Sequence, residues 1–219
     1  MRTANGPVTM QRSSLEKDLG VLVDNRLSFE DEVTSRANKG RQIAAIIRRT
    51  FTYLDQEMFA RLFKTLVRPH LEYAAAVWTP YMKKNIKELE DVQRKATRQI
   101  PSLKGLEYEE RLKRLKLPTL EHRRRRGDMI EVYKLLSGSY NLDATRFFKQ
   151  ATDTRTRGNS RKLEKVRSKT QRRQQTFSQR VVNDWNALPN EVVTAPSLNC
   201  FKSRLDSFWK HSASAYNPV

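Results

Sequence analysis

The stretch Leu66–Ile100, LVRPHLEYAAAVWTPYMKKNIKELEDVQRKATRQI, decides the fold class because a core-forming stripe and a one-sided charge pattern share it. It reads as two helices joined at Thr79-Pro80. Threonine accepts hydrogen bonds at helix N-caps, and proline is tolerated at the first helical position, where its missing N–H would be unpaired anyway. Beyond that junction Met82, Ile86, Leu89, Val92, Ala96 and Ile100 recur at steps of three and four, one stripe that must pack against a partner. On the opposite side Lys83, Lys87, Arg94 and Arg98 fall within about 60° of one another, flanked by Lys84 and Lys95. A solvated face, diluted by Glu88, Glu90 and Asp91, has this pattern, and so does an anion-binding face.

The helical signal extends both ways. Ser28 with Asp31 resembles a capping box, and Val33, Ala37, Gly40, Ala44, Ile47 and Phe51 follow it at helical steps. Gly40 inside that stripe points to a close helix crossing, since glycine there otherwise costs about 1 kcal/mol relative to alanine. A further helix runs from about Asp55 and meets Pro69 within its pattern, which demands a kink or a restart. Upstream, Val8–Arg12 and Leu19–Val23 read as two strands of a hairpin, with SSLEKD between them and a turn at Asp24-Asn25. Downstream, Tyr108, Leu112 and Leu115 share one face of a short amphipathic segment. Thr119 caps a helix that carries four successive arginines, Arg123, Arg124, Arg125 and Arg126, and ends at Gly138.

The fold class is therefore mainly α, a helical bundle with a short N-terminal β-hairpin and a small C-terminal helical module. In that module Phe177, Val181, Trp185 and Leu188 precede a stop at Pro189, and Ser197 caps a last helix with Leu198, Phe201, Leu205 and Phe208. Trp185 and Trp209 close a small core on this reading, and stacking on nucleic-acid bases is the alternative.

Of the 219 residues, 37% are hydrophobic, below the usual share, so the core is modest and polar segments are exposed. The formal net charge is +19, and the C-terminal half from residue 100 carries the larger part. A compact chain so charged repels itself unless anions bind it, and phosphate backbones are the commonest such partner, an anionic membrane the rival. From Arg155 to Arg180 basic residues, among them Arg157, Lys162, Arg172 and Arg173, face Glu164 alone, as in an extended or partly disordered basic arm. The arginine run suits nucleic-acid binding or a nuclear import signal. The tripeptide Arg126-Gly127-Asp128, placed in a helix, is not an integrin-binding loop. One cysteine, Cys200, excludes an internal disulfide, and with His70, His122 and His211 it forms no zinc-ligand spacing. Without a signal-peptide-like region or a membrane-length apolar run, the expected location is intracellular, nuclear and/or cytoplasmic, with no membrane partner.

The blocks DLGVLVDNRLSFEDEV, IIRRTF after Lys39, LFKTLVRPHLEYAAAVW, VQRKATR, RRRRGDMIEVYKLL and RVVNDWNALPNEVV, in this order and spacing, carry a resemblance. The chain resembles the C-terminal third of the reverse transcriptase polyprotein of non-LTR retrotransposons in the jockey and chicken-repeat clades. The resemblance implies a primer-grip-like hairpin (1–27) around Leu19, Gly20 and Val21 and a thumb-like bundle (28–101). The residues themselves mark out a basic helical segment (102–151), a basic arm (152–176) and a C-terminal helical module (177–219), which resemble that family's C-terminal nucleic-acid-binding region. The resemblance implies contact with RNA, RNA-DNA hybrid or DNA through phosphates, with Lys83, Lys87, Arg94, Lys95, Arg98, Arg123 to Arg126, Arg157, Lys162, Arg172 and Arg173 as candidates.

The departure from that family matters as much. Polymerase chemistry holds two metal ions on carboxylates, one set from a Tyr/Phe-x-Asp-Asp turn that precedes the primer grip, and this sequence contains no Asp-Asp pair. The expectation is a nucleic-acid-binding fragment of an RNA-directed DNA polymerase that is not an enzyme on its own and holds no cofactor or metal. The alternatives are an interaction piece that completes palm and fingers on another chain, or a non-functional relic of a mobile element. In the second, the stripe Leu62, Leu66, Leu71 and Ala74 would be the exposed apolar surface of a former interface.

Overall fold

A hairpin opens the ordered part of the chain. The structure, a computed structural model, describes residues 2–3, 6–7, 12–151 and 158–211, with side chains for 12–151 and 158–210. A minimal antiparallel pair, β1 (Arg2–Thr3) and β2 (Gly6–Pro7), precedes the hairpin of β3 (Leu15–Asp18) and β4 (Val21–Asp24), with Leu15 opposite Asp24 and Asp18 opposite Val21. The expected strand at Val8–Arg12 lies outside the described residues except for Arg12, which is in no strand. Instead, the polar segment expected as the connection supplies β3, and Leu19-Gly20 is the turn. Both turn residues have positive φ, 45° and 82°, the backbone that a two-residue hairpin loop needs to follow strand twist. The alternating pattern failed here because β3 is exposed along its whole length.

Helix α1 (Glu30–Thr50) starts one residue later than a Ser28 cap would place it. Its N-cap is Phe29, at φ 56°, and has no side-chain cap bond. Asp24 organises this corner, accepting from the amides of Arg26, Ser28 and Phe29 and from the Ser28 hydroxyl. Gly40 is the crossing point expected of it. A Cβ there would stand 2.8 Å from Leu71 Cδ2 and 3.1 Å from Val92 Cγ1.

Helix α2 (Gln56–Leu62), capped by the Asp55 carboxylate on Met58 N, passes through a wide π-helical turn at Phe63–Val67 into α3 (Arg68–Glu72). That turn answers Pro69, which has no N–H to donate and whose ring would clash with the carbonyl four residues back in a regular helix. The chain then breaks at Ala74 (φ 53°), forms α4 (Ala75–Trp78) and restarts as α5 (Lys83–Arg98). Thr79-Pro80 therefore does not cap α5. The Thr79 hydroxyl donates back to the Ala75 carbonyl at 2.6 Å and closes α4 instead. The α5 stripe packs as expected, with Leu89, Val92, Ala96 and Ile100 buried and Met82 and Ile86 half-buried.

Helix α6 (Tyr108–Leu115) and the start of α7 (Leu120–Leu136) complete a first core that runs from Val21 to Leu120. The Thr119 side chain caps α7 by accepting from His122 N. Gly138, at φ 71°, ends it with bonds from Gly138 N to Leu135 O and Ser139 N to Lys134 O. The second half of α7, with Met129, Val132, Tyr133 and Leu135, belongs to a second core. Helices α8 (Gln171–Gln174), α9 (Phe177–Asn186), α10 (Asn190–Val193) and α11 (Leu198–His211) follow; Trp185, Phe201, Leu205 and Trp209 belong to that second core. Segment 102–151 is thus divided between two cores rather than standing apart.

Part of the expected basic arm is anchored. Asn159 is buried and donates to the carbonyls of Trp185 and Leu188, and Leu163 is buried with its amide on Asn186 Oδ1. The stripe read as an exposed interface is mostly internal. Leu71 is fully buried, Leu62 and Ala74 are half-buried, and Leu66 alone of the four is exposed. No described helix is long and apolar enough to cross a membrane.

Candidate nucleic-acid interface

The outward side of α5 presents Lys83, Lys84, Lys87, Arg94, Lys95 and Arg98, all exposed because the opposite side is committed to the first core. Three of them have acidic neighbours. Lys87 meets Asp91 at 2.7 Å, Arg94 meets it at 3.5 Å, and Lys84 meets Glu30 at 3.0 Å. Lys83, Lys95 and Arg98 form no ion pair among the described residues.

At the C-terminal end of α5 the charge gathers around a cleft of about 840 Å³ between this helix and α6. Arg94, Arg98, Lys104 and Arg111 line it, with Glu107 as its acidic wall. The Arg94 guanidinium lies over the Tyr108 ring at 4.4 Å from the centroid, and that of Arg111 at 5.6 Å. Arg111 is 5% exposed. It donates to the carbonyls of Leu106 at 3.2 Å and Arg94 at 3.4 Å, while its Nε has no hydrogen-bond partner among the described residues. Burial, and then repulsion from Arg98 and Arg94, pull its pKa below the ordinary arginine value against the pull of Tyr108 and Glu107.

A second cleft, about 760 Å³, adjoins the first across Arg94, Glu107 and Tyr108 and is of mixed sign, with Lys83, Lys87, Glu90, Glu109 and Glu121 on its walls. Glu90 is the structural keystone between them. Its carboxylate accepts from the Tyr108 hydroxyl and, at 3.0 Å, from Leu120 N, so one side chain of α5 positions the starts of α6 and α7. Burial raises the Glu90 carboxyl above its ordinary value although these bonds and Arg124 favour the charged form. Burial and the neighbouring Glu90 push the Tyr108 hydroxyl up as well.

The arginine run lies elsewhere and is engaged. Arg123 forks onto Glu72 of α3, Arg125 onto Asp184 of α9 at 3.1 and 3.0 Å, and Arg126 onto Asp206 of α11 at 2.6 and 2.8 Å. Arg124 is buried, and its two terminal nitrogens have no hydrogen-bond partner among the described residues. Below the run Asp128 is held by both nitrogens of the Arg180 fork, and Arg180 also donates to the Ala76 carbonyl. Arg123, Arg125 and Arg126 are thus committed to acids on α3, α9 and α11, and the structure brings no arginine of the run to the α5–α6 cleft.

Other candidates are dispersed. Arg157 lies outside the described residues. Lys162 is half-buried and folds against Gly158, where a Cβ would meet its Cε at 2.2 Å. Arg172 and Arg173 are exposed on α8, at the rim of an apolar groove of about 690 Å³ that includes Leu27, Val77, Leu142 and Phe147. At the hairpin tip Leu19 is 86% exposed and Val21 is buried. The tip is pinned by the Tyr73 hydroxyl, which donates to Leu19 O at 2.9 Å, and by Arg36, which donates to Gly20 O at 2.6 Å.

Lys104 and Arg111 join the cleft although the sequence reading passed over them. The short segment around Tyr108 supplied an apolar face, but nothing local says that its arginine folds back onto the end of α5.

No protein-family model matches the chain, and no solved structure matches it. The chain is similar to Uncharacterized protein B0403.1 of Caenorhabditis elegans, 24% identical over 128 residues, which cover 57% of this chain. The match spans 65% of that protein's length.

Proposed function

We propose that this chain is a polynucleotide-binding module that grips phosphates through the outward side of α5 and the α5–α6 cleft. On this reading it resembles the thumb of a non-LTR retrotransposon RNA-directed DNA polymerase and performs no polymerisation by itself. The ordered sequence blocks support the family, and one observation supports the site: Arg94, Arg98, Lys104 and Arg111 converge on one cleft. Gathering four cations against the single carboxylate of Glu107 is unfavourable unless a further anion binds among them. Lys83 and Lys95 extend the same positive strip along α5, and contact of this kind follows a backbone without reading bases. RNA, hybrid and DNA all present the required phosphates, and such a module would work in the nucleus, the cytoplasm or both.

The test is a salt titration of binding to a labelled strand. If the module neutralises Z phosphates, log K falls against log salt with a slope of about −0.7Z for single strands and −0.9Z for duplex DNA. Affinity that stays flat over about 50 to 200 mM salt would overturn the reading.

A second reading is favoured by the apolar groove. Leu27 and Leu142 are each 55% exposed and Val77 57%, at the base of the hairpin that leaves the palm in the resembled polymerase. The groove would then seat a palm-and-fingers domain supplied by another chain. Added module should raise primer extension by a polymerase core that lacks its thumb, and the absence of stimulation at saturation would remove this reading.

A further inference from the structure

The two adjoining clefts differ in sign, and the difference bears on which part of a polynucleotide binds. The cleft at the end of α5 offers Arg94, Arg98, Lys104 and the buried Arg111 against Glu107. Past Tyr108 the neighbouring cleft is of mixed sign, with Glu90, Glu107, Glu109 and Glu121 set against Lys83, Lys87 and Arg94 on its walls. A phosphodiester strand running on in that direction would pass from a clear surplus of cations to a slight surplus of carboxylates. A strand that ends in the first cleft avoids them.

The Tyr108 ring does not serve as a stacking platform, because the residue is 8% exposed and two guanidinium groups cover it. What several of the cleft's donors lack is a partner. Arg111 is 5% exposed and keeps an Nε–H without a partner, while its other nitrogens are turned to the Leu106 and Arg94 carbonyls. The side chains of Arg98 and Lys104, lining the same cleft, form no hydrogen bond or ion pair among the described residues. A group with several acceptor oxygens and more than one negative charge matches this donor set better than a diester, which carries a single charge.

We infer that the α5–α6 cleft is a pocket for a terminal phosphate monoester of a polynucleotide, with Arg111 as its buried anchor and the exposed Arg94, Arg98 and Lys104 as its walls. This rests on the polynucleotide reading and narrows it from backbone tracking to recognition of a strand end.

Binding of labelled strands of one sequence, carrying a 5′-phosphate, a 3′-phosphate or hydroxyls at both ends, tests it with the full chain. One phosphorylated end is expected to bind about tenfold tighter than the hydroxyl-ended strand. That preference should grow as pH rises through about 6, where a monoester gains its second charge and a diester does not. Inorganic phosphate added at constant ionic strength should erase the preference, and the Arg98→Gln/Lys104→Gln variant should lose it, whereas Arg48→Gln on α1 should keep it. Equal binding of all three strands would overturn the pocket and leave the polynucleotide reading standing. A preference that survives Arg98→Gln/Lys104→Gln would also overturn the pocket. If no strand binds, both fall together.

Discussion

Asp128 and Arg180 show what a single residue contributes here. Their side chains are 8% and 11% exposed, and the fork between them joins α7 to α9 while the same arginine reaches the Ala76 carbonyl. Removing one partner leaves an uncompensated buried charge, so Asp128→Ala is expected to lower unfolding stability by about 3 to 5 kcal/mol in a urea titration. Arg98→Gln, on the exposed strip, should stay within about 0.5 kcal/mol. Glu90 adds a pH signature. Its carboxyl is raised by burial, so the folded chain retains a proton that the unfolded chain has released. Stability from this group therefore falls as pH rises from the ordinary value of 4.5 through the raised one. Glu90→Gln keeps one oxygen acceptor, enough for Leu120 N, turns an NH2 towards the Tyr108 oxygen and abolishes the titration, so the pH trend rather than the absolute difference tests the assignment. The stability of the variant relative to the native chain should therefore increase as pH rises above 4.5, and a pH-independent difference would contradict this assignment.

At the scale of elements, the stripes were legible and the ends less so. Leu89, Val92, Ala96 and Ile100 pack as their spacing demands, because burying one face of a helix depends on periodicity alone. Gly40 was legible for a related reason, as glycine inside an apolar stripe seldom serves the helix itself. Gly40→Ala gains helix propensity, yet its Cβ meets Leu71 Cδ2 at 2.8 Å, so the variant is expected to lose about 1 to 3 kcal/mol by thermal or urea unfolding. Helix starts depended on neighbours that the local sequence does not name. Asp24, from β4, fixes the turn before α1 through the Ser28 and Phe29 amides, Ser28 Oγ accepts from Glu30 N at a long 3.5 Å, and Thr79 closes the preceding helix instead of opening the next. The hairpin was misplaced by its exposed strand, since a strand without a buried face has no alternation to read.

For the whole molecule, α7 sets the arrangement by entering the first core at Leu120 and leaving from the second at Leu135. Its arginine run, the most basic stretch in the sequence, lies at this junction and forks onto Glu72, Asp184 and Asp206. The acids lie 51, 59 and 80 residues away, beyond any local pattern, which is why the run read as a surface patch. The positive strip on α5 was legible because its residues share one helix, whereas the cleft at its end needed α6 to fold back beside it. The central claim is that binding follows this strip and cleft. Its most direct test is the salt slope of binding to one labelled strand, compared between the native chain and Lys95→Gln/Arg98→Gln/Lys104→Gln. The variant should keep its fold and lose about 0.7 units of slope per removed contact for a single strand. An unchanged slope and affinity in the folded variant would contradict the account.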